Sequence, residues 1–207
     1  GASSVEDLLV RAHDLGYRAL ALTDHDNLCG AMHFAQVAKT LDMQSITGAE
    51  LTIKDKDGKD GSHLTFLAEN QEGYSQLSNL ISYSYVAADR RNPALDLKYM
   101  PDRINGLILL TGCRAGRVPS LLAEGRYTEV ETQLRQYLDW FGTDNVFVEL
   151  QQNLVQGDTQ RNRRLIDLAR KLGVGVVATN NVHYHVPERH RLQDALVSIK
   201  HNRSLEE

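Results

Sequence analysis

The amino-acid sequence predicts an α/β protein, and two observations support this fold class. Short apolar runs of strand length alternate with longer segments whose apolar residues recur at helical spacing, which is the pattern of strands connected by helices. Polar residues directly follow several of the apolar runs, as expected where the carboxyl ends of parallel strands meet at one edge of a sheet. We therefore expect mainly parallel pairing with right-handed crossovers, in either a barrel or an open sheet.

The composition is that of a globular chain, and it excludes several classes of function. Of the 207 residues, 42% are hydrophobic and 24% are charged, and we expect a single domain over 1–207. No apolar stretch approaches the roughly 18 residues that span a membrane, and two cysteines are too few for a disulfide framework, so a cytoplasmic location is expected. The formal net charge of −4 argues against indiscriminate nucleic-acid binding. The chain also has no Walker-type loop or nucleophile elbow, which argues against nucleoside triphosphate hydrolysis and serine esterase chemistry.

The first half of the chain predicts three helices and three strands. Ser4 and Asp7 have nearly the spacing and chemistry of a capping box and would begin the first helix. Glycine and a carboxylate at 48–50 are expected to interrupt the second strand, and a turn-rich polar segment at 54–61 would join that strand to the third as a hairpin. The predicted elements are helices at 5–15, 31–41 and 73–86 and strands at 18–23, 45–53 and 63–68.

The second half repeats the alternation after a predicted loop. The segment at 87–102, with Pro93 and Pro101, is expected to be mostly irregular. The predicted elements after it are strands at 106–110, 145–150 and 174–178 and helices at 118–124, 127–141, 159–172 and 188–201.

Ligand-type residues collect at the predicted strand ends. These residues are Asp24, His25, Cys113, Asn181 and His183. A mixture of carboxylate oxygen and imidazole nitrogen suits Zn, Mn or Fe(II), and it also suits general acid–base chemistry. The alternative for Asp24 is a cap on the helix that begins near residue 31, beside a solvated histidine, and we expect Asp26 and Asn27 to belong to that cap.

Glu50, His63 and Cys113 each have a metal-binding and an ordinary structural interpretation. Glu50 could bridge two metal ions or be a solvated residue on the face of a strand. His63 could be a ligand or a polar residue at the start of a strand, and Cys113 could be a metal thiolate or a small buried thiol. His183 and His185 have His-x-His spacing, which more strongly indicates a metal ligand.

Five segments of the chain form a recognisable set. They are Ala-Leu-Thr-Asp-His-Asp at 21–26, Thr-Gly-Ala-Glu at 47–50, His-Leu-Thr-Phe-Leu-Ala-Glu-Asn at 63–70, Leu-Thr-Gly-Cys-Arg-Ala-Gly at 110–116 and Val-Ala-Thr-Asn-Asn-Val-His-Tyr at 177–184. This set resembles the PHP (polymerase and histidinol phosphatase) domain that opens bacterial DNA polymerase III alpha subunits. The resemblance covers essentially the whole chain.

The resemblance implies a fold and a set of site residues. The implied fold is a distorted (β/α)7 barrel with a cluster of divalent metals (Zn, Mn or Fe) at the carboxyl ends of its strands. The implied catalytic and metal-binding residues are Asp24, His25 and Glu50, the last as a bridging ligand. The other implied metal ligands are His63, Cys113, Asn181 and His183. His185 is disfavoured, because the family places its ligand at the position of His183.

Two departures from the family pattern lead to further expectations. The family carries a His-x-His motif on its first strand just before a segment like the one at 1–4, so we expect that strand to be missing or truncated and the metal cluster to be incomplete. The family also usually has Asp where this chain has Asn181. An amide offers a carbonyl oxygen without negative charge, so a metal at that position should be held more weakly.

The resemblance also implies a function, with alternatives. The chain would be the N-terminal domain of a DNA polymerase III alpha subunit in replication or translesion synthesis, and the wording at 112–119 favours the error-prone type. The family's ancestral chemistry is metal-dependent phosphoester hydrolysis, as in a 3′–5′ exonuclease, so the domain either cuts DNA or mainly holds the polymerase together. Its partners would be the polymerase domains of the same chain, DNA and other replisome subunits, with no membrane. The alternatives are a free-standing phosphatase of small phosphoesters and a protein-binding module.

Overall fold

The computed structural model describes residues 1–54, 61–86, 92–100 and 104–205. Its helices are α1 Val5–Asp14, α2 Ala31–Thr40, α3 Gln71–Val86, α4 Arg117–Ala123, α5 Tyr127–Phe141, α6 Asp158–Leu172 and α7 His190–His201. Its strands are β1 Ala19–His25, β2 Gln44–Ile53, β3 Ser62–Ala68, β4 Leu107–Leu110, β5 Val146–Gln151 and β6 Gly175–Thr179. Short 3-10 turns lie at Leu97–Tyr99, Thr143–Asn145 and Pro187–Arg189. The predicted α/β class is confirmed, whereas most of the predicted turn at 54–61 and parts of the predicted loop at 87–102 lie outside the described residues.

The six strands form one mixed sheet in the order β1-β2-β3-β4-β5-β6. Strand β3 pairs antiparallel with both β2 and β4, and β4, β5 and β6 pair in parallel. The predicted hairpin of β2 and β3 is therefore confirmed, but the expectation of parallel pairing is wrong for β4 beside β3. The physical reason is that a long connection, unlike a tight turn, can return the chain to either end of a sheet, so strand direction does not follow from periodicity.

Two compact units are distinguishable in the chain. The first comprises Gly1–Leu20, Gly30–Ser45 and Asn181–Glu207, and the second comprises Ala21–Cys29 and Ile46–Asn180. In the first unit α1 packs against α2. The predicted capping box is present, since the Ser4 hydroxyl accepts from the Asp7 amide at 3.1 Å and the Asp7 carboxylate accepts from the Ser4 amide at 3.3 Å. No helix among the described residues is long and apolar enough to cross a bilayer.

The second unit has a hydrophobic core on one face of its sheet. Side chains alternate between the two faces of a strand, so Ala49 and Leu51 of β2, both fully buried, point away from Glu50 into this core. Leu64 and Phe66 of β3 lie opposite them on the same face. The segment at 48–50 does not interrupt β2, contrary to expectation, because its residues pair with β3 in unbroken register. In the β2–β3 hairpin the opposite face carries the polar side chains of Glu50, Thr52, His63 and Thr65.

Candidate metal centre

The β2–β3 hairpin brings Glu50 and His63 together on the polar face of the sheet. Glu50 lies opposite Thr65, and Thr52 lies opposite His63, so Glu50 and His63 are diagonal neighbours on one face. The Glu50 Oε1 atom is 2.7 Å from His63 Nδ1. The Glu50 side chain is 9% exposed, so the solvated alternative considered for it is wrong. A carboxylate this deeply buried requires a partner, because burial of an unpaired charge is costly.

His25 completes a triad with these two side chains. It is the last residue of β1, and its Nδ1 atom is 3.3 Å from the same Glu50 oxygen. The rings of His25 and His63 meet edge to face, with centroids 5.4 Å apart. One potential ligand atom from each of the three residues lies within 4.8 Å of the others. Two imidazoles and a shared carboxylate are donors that suit Zn²⁺ and other first-row divalent metals.

The turn after β1 is tied to β2, which fixes the position of His25. The Asp26 amide donates to the Glu50 carbonyl at 2.9 Å, and the Asn27 side chain donates to the His25 carbonyl at 2.7 Å. The Asp26 carboxylate accepts from the Thr52 amide at 2.8 Å and from the Thr52 hydroxyl at 2.9 Å. Side-chain hydrogen bonds of this kind hold the His25 end of β1 against the hairpin.

The predicted role of Asp26 and Asn27 as caps of the following helix is wrong. The cap of α2 is Gly30, which has no side-chain hydrogen bond. Asp26 is buried with a left-handed φ of 55° and bonds across to Thr52, whereas Asn27 accepts from the Cys29 amide at 2.8 Å. Asp and Asn suit caps and turns equally well, so the residue types alone do not distinguish these roles.

Cys113 approaches the triad from the loop after β4. Its Sγ atom is 3.8 Å from His63 Nδ1, and the His63 amide donates to the Ala115 carbonyl at 3.2 Å. Gly112 makes this approach possible, because it has a φ of 88° and a Cβ at that position would lie 2.2 Å from the His63 carbonyl oxygen. The structure thus places Cys113 beside a triad member, where a thiolate could act as a further soft ligand.

The electrostatics of the triad favour a protonated His63 in the absence of metal. Hydrogen bonding to Cys113 and then to Glu50 raises the pKa of His63 to about 10, against the opposing effect of burial. The proton therefore occupies a position that a cation could occupy. A site that stabilises an imidazolium between a carboxylate and a thiol has the negative character that metal binding requires.

Three predicted site residues, Asp24, Asn181 and His183, do not belong to the triad found among the described residues. Asp24 lies within β1 and is partly buried. Asn181 is exposed with a φ of 50°, and His183 is exposed, with its carbonyl accepting from the Ala2 amide at 2.8 Å. The His185 Nδ1 atom is hydrogen-bonded to the Ser3 hydroxyl at 2.7 Å. Metal roles for Asp24, Asn181 and His183 stay predictions.

A buried polar network that the sequence reasoning missed lies on the same face of the sheet. Glu149 accepts from the hydroxyl of Thr179 and from the side-chain amide of Gln151, the latter at 2.9 Å. Its amide donates to the Thr111 hydroxyl at 3.0 Å. Its other carboxylate oxygen is buried without a hydrogen-bond partner among the described residues. The signal for this network was a carboxylate within the otherwise apolar run 146–150.

The fold and the site together define an α/β domain whose mixed sheet carries a candidate metal-binding triad on one face. The chain belongs to the PHP domain family, whose model matches residues 1–153. The family resemblance identified from the sequence is therefore confirmed.

Known proteins with similar sequences are bacterial DNA polymerases. The DNA polymerase III subunit alpha of Treponema pallidum is 39% identical over 215 residues, which cover 99% of this chain and 18% of that protein. The error-prone DNA polymerase of Symbiobacterium thermophilum is 37% identical over 216 residues, which cover 97% of this chain and 19% of that protein. The chain thus spans about a fifth of the length of these curated relatives.

Solved structures with the same fold are more distant in sequence. An amidohydrolase from Chromobacterium violaceum has a TM-score of 0.52 at 13% identity, over 90% of this chain and 84% of that one. A protein described as a metal-dependent phosphoesterase, from Bifidobacterium adolescentis, has a TM-score of 0.50 at 13% identity, over 92% of this chain and 90% of that one. These similarities establish the fold.

Proposed function

We propose that this chain is the PHP domain of a bacterial DNA polymerase III alpha-type protein and that its triad supports metal-dependent phosphoester hydrolysis at a 3′ end of DNA. The observation that carries the chemical part is the buried carboxylate of Glu50, which faces His63 at 2.7 Å and His25 at 3.3 Å. The polymerase part is supported by the identity of 37–39% over nearly the whole chain. The 13% identity to a described phosphoesterase gives less support to the alternative of a free-standing phosphatase.

The residues of the triad suit the binding of a divalent metal. Glu50 and the two imidazoles of His25 and His63 would hold the ion, with Cys113 next to His63. A divalent cation held there would supply Lewis-acid polarisation of a phosphoryl oxygen and lower the pKa of water. Burial of Glu50 limits competing hydration of its carboxylate, and the hydrogen bonds of the 26–27 turn keep His25 in place. The chain's own part is thus to fix the donors before substrate arrives.

Two versions of this proposal differ in whether the domain still cuts DNA. Asn181, at a position where the family usually has Asp, favours a mainly structural domain that supports the polymerase. The intact triad favours retained hydrolysis. The imidazole and carboxylate donors suit Zn, Mn or Fe as the metal. The partners would be the polymerase domains of the same chain, DNA and other replisome subunits.

The test is a metal titration followed by 3′-end degradation in the full-length protein. Glu50→Gln and His25→Ala should each abolish metal-stimulated degradation, because each removes a donor of the triad. His13→Ala is the matched control, since His13 is an exposed helical histidine outside the triad, and it should leave degradation unchanged. Degradation that survives both triad changes would refute hydrolysis at this site. If the unaltered protein showed no degradation while the two triad variants destabilised the polymerase, only the structural version of the proposal would remain.

A further inference from the structure

An exposed pair of stacked tyrosines lies in the second unit, outside the triad. Tyr83 is in the last turn of α3, and Tyr99 ends the 3-10 turn at Leu97–Tyr99. Their ring centroids are 5.2 Å apart and their planes differ by 6°. The two residues are 44% and 37% exposed, and we call this pair the aromatic platform. Two rings held parallel and partly exposed present flat aromatic area on which a planar ligand could stack.

Both sides of the aromatic platform are anchored to buried structure. Leu95 is fully buried. Its amide donates to the Thr52 carbonyl of β2, and its carbonyl accepts from the amide of Lys54, the residue after β2, both at 2.8 Å. In α3, Leu80 and Ser84 are buried next to the exposed Tyr83. Binding to the platform therefore costs little ordering of the protein, since its backbone supports are already fixed.

A lysine supplies positive charge at the platform. The Lys98 ammonium lies 4.9 Å from the centroid of the Tyr99 ring and 3.0 Å from the Asp96 carboxylate. The hydrogen bond to Asp96 raises the pKa of Lys98, and the same contact lowers the pKa of Asp96. Lys54 also acts electrostatically on Asp96. Among the described residues, two lysines thus act on the single carboxylate of Asp96, which gives this surface a cationic character on a chain whose net charge is −4.

The platform is attached to β2, the strand that carries Glu50. Leu95 donates to the carbonyl of Thr52, and Thr52 faces His63 across the hairpin. Neighbouring strands are about 5 Å apart, so the segment leading to Lys98 and Tyr99 starts about 10 Å from His63. Leu80 and Leu95 belong to the core on the face of the sheet opposite Glu50, so the platform is a separate site from the triad.

We propose that the aromatic platform binds single-stranded nucleic acid, with a base stacked on Tyr83 and the adjoining phosphate near Lys98. Proteins that bind single strands without sequence preference combine exposed aromatic rings with cationic side chains in this way. Charge complementarity favours a polyanion over an apolar protein surface as the occupant. The proposal rests on the proposed function for its choice of ligand, but the binding itself needs neither the triad nor a metal ion.

The experiment measures fluorescence anisotropy of a labelled oligothymidylate of about ten nucleotides with the 207-residue chain, in EDTA and about 50 mM salt. An abasic oligonucleotide of the same length keeps the phosphates and removes the bases. Tyr83→Ala should weaken oligothymidylate binding about tenfold and leave abasic binding unchanged, while Tyr83→Phe, which keeps the ring, should retain it. Tyr74→Ala is the matched control, because Tyr74 is a 42% exposed tyrosine of the same helix.

Lys98→Gln provides a second, independent variant for the charge. It should weaken the binding of both oligonucleotides and reduce the slope of log affinity against log salt by about one. The proposal would be overturned if the two oligonucleotides bound equally well, or if Tyr83→Ala and Tyr74→Ala had equal effects. It would also be overturned if neither oligonucleotide bound, and a protein partner would then become the better occupant. Because EDTA suppresses metal-dependent hydrolysis, failure here would leave the proposed function of the triad untouched.

Discussion

Metal binding at the triad is expected to displace a proton from His63, and the structure sets the size of the effect. Hydrogen bonds to Cys113 and then to Glu50 raise the pKa of His63 to about 10, so at pH 7 the protonated ring outnumbers the neutral one by about a thousandfold. Only the neutral ring can bind a metal. The apparent metal affinity at pH 7 should therefore lie about a thousandfold, or about 4 kcal/mol, below its value with a neutral ring. It should rise about tenfold per pH unit between pH 7 and 9.

Calorimetry can count the protons released on metal binding. Mn²⁺ titrated into the chain in several buffers of different ionisation enthalpy should release at least one proton at pH 7.5, and His63→Ala should release about one fewer. Glu50→Gln removes the charge that stabilises the His63 imidazolium, so the pKa of His63 should fall and the pH dependence should flatten. The control His13→Ala should match the unaltered chain. Equal proton release with and without His63, or an affinity independent of pH, would refute this description of the site.

Three further predictions concern side chains around the triad and in the first unit. Asp26→Ala removes both hydrogen bonds to Thr52 and should lower the free energy of unfolding by about 3 kcal/mol in urea denaturation. Asp26→Asn tolerates the left-handed φ and should lower it clearly less. Equal losses in the two variants would contradict the role of Asp26 in holding the turn against β2. Glu6, which accepts from His33 at 2.5 Å, has its pKa lowered to about 2, by backbone hydrogen bonding first and then by His33. The stabilising contribution of Glu6 should thus be present above pH 4.5 and be lost as pH falls through about 2. NMR titration should show a higher pKa of Glu6 in His33→Ala, and an unchanged pKa would count against the contact. Glu149→Ala should lower the free energy of unfolding by about 2 kcal/mol in thermal denaturation and Glu149→Gln by less, whereas equal losses would show that its acceptor oxygen is unimportant.

Most of the triad could be predicted from the sequence because its donors are distinctive residue types at the ends of strands. His25 follows an apolar run, and His63 opens one, so both were visible as candidates, although His63 was ambiguous without the family resemblance. The burial of Glu50 could not be predicted, since it depends on which face of β2 the core covers. The role of Asp26 depends on a hydrogen bond to a residue far along the chain. Strand direction beside β3 likewise depends on how the chain returns to the sheet, which local periodicity does not encode.

The β2–β3 hairpin has a consequence for how the domain folds. Glu50 and His63 belong to strands that are adjacent in sequence, and contacts between nearby segments form early because they close short loops at low entropic cost. Two donors can thus meet while β1 and the rest of the sheet are still unstructured. A metal ion captured at that stage would stabilise the paired hairpin and leave His25 to complete the coordination later. The supply of metal during synthesis would then influence the rate at which the chain folds as well as the stability of the folded domain.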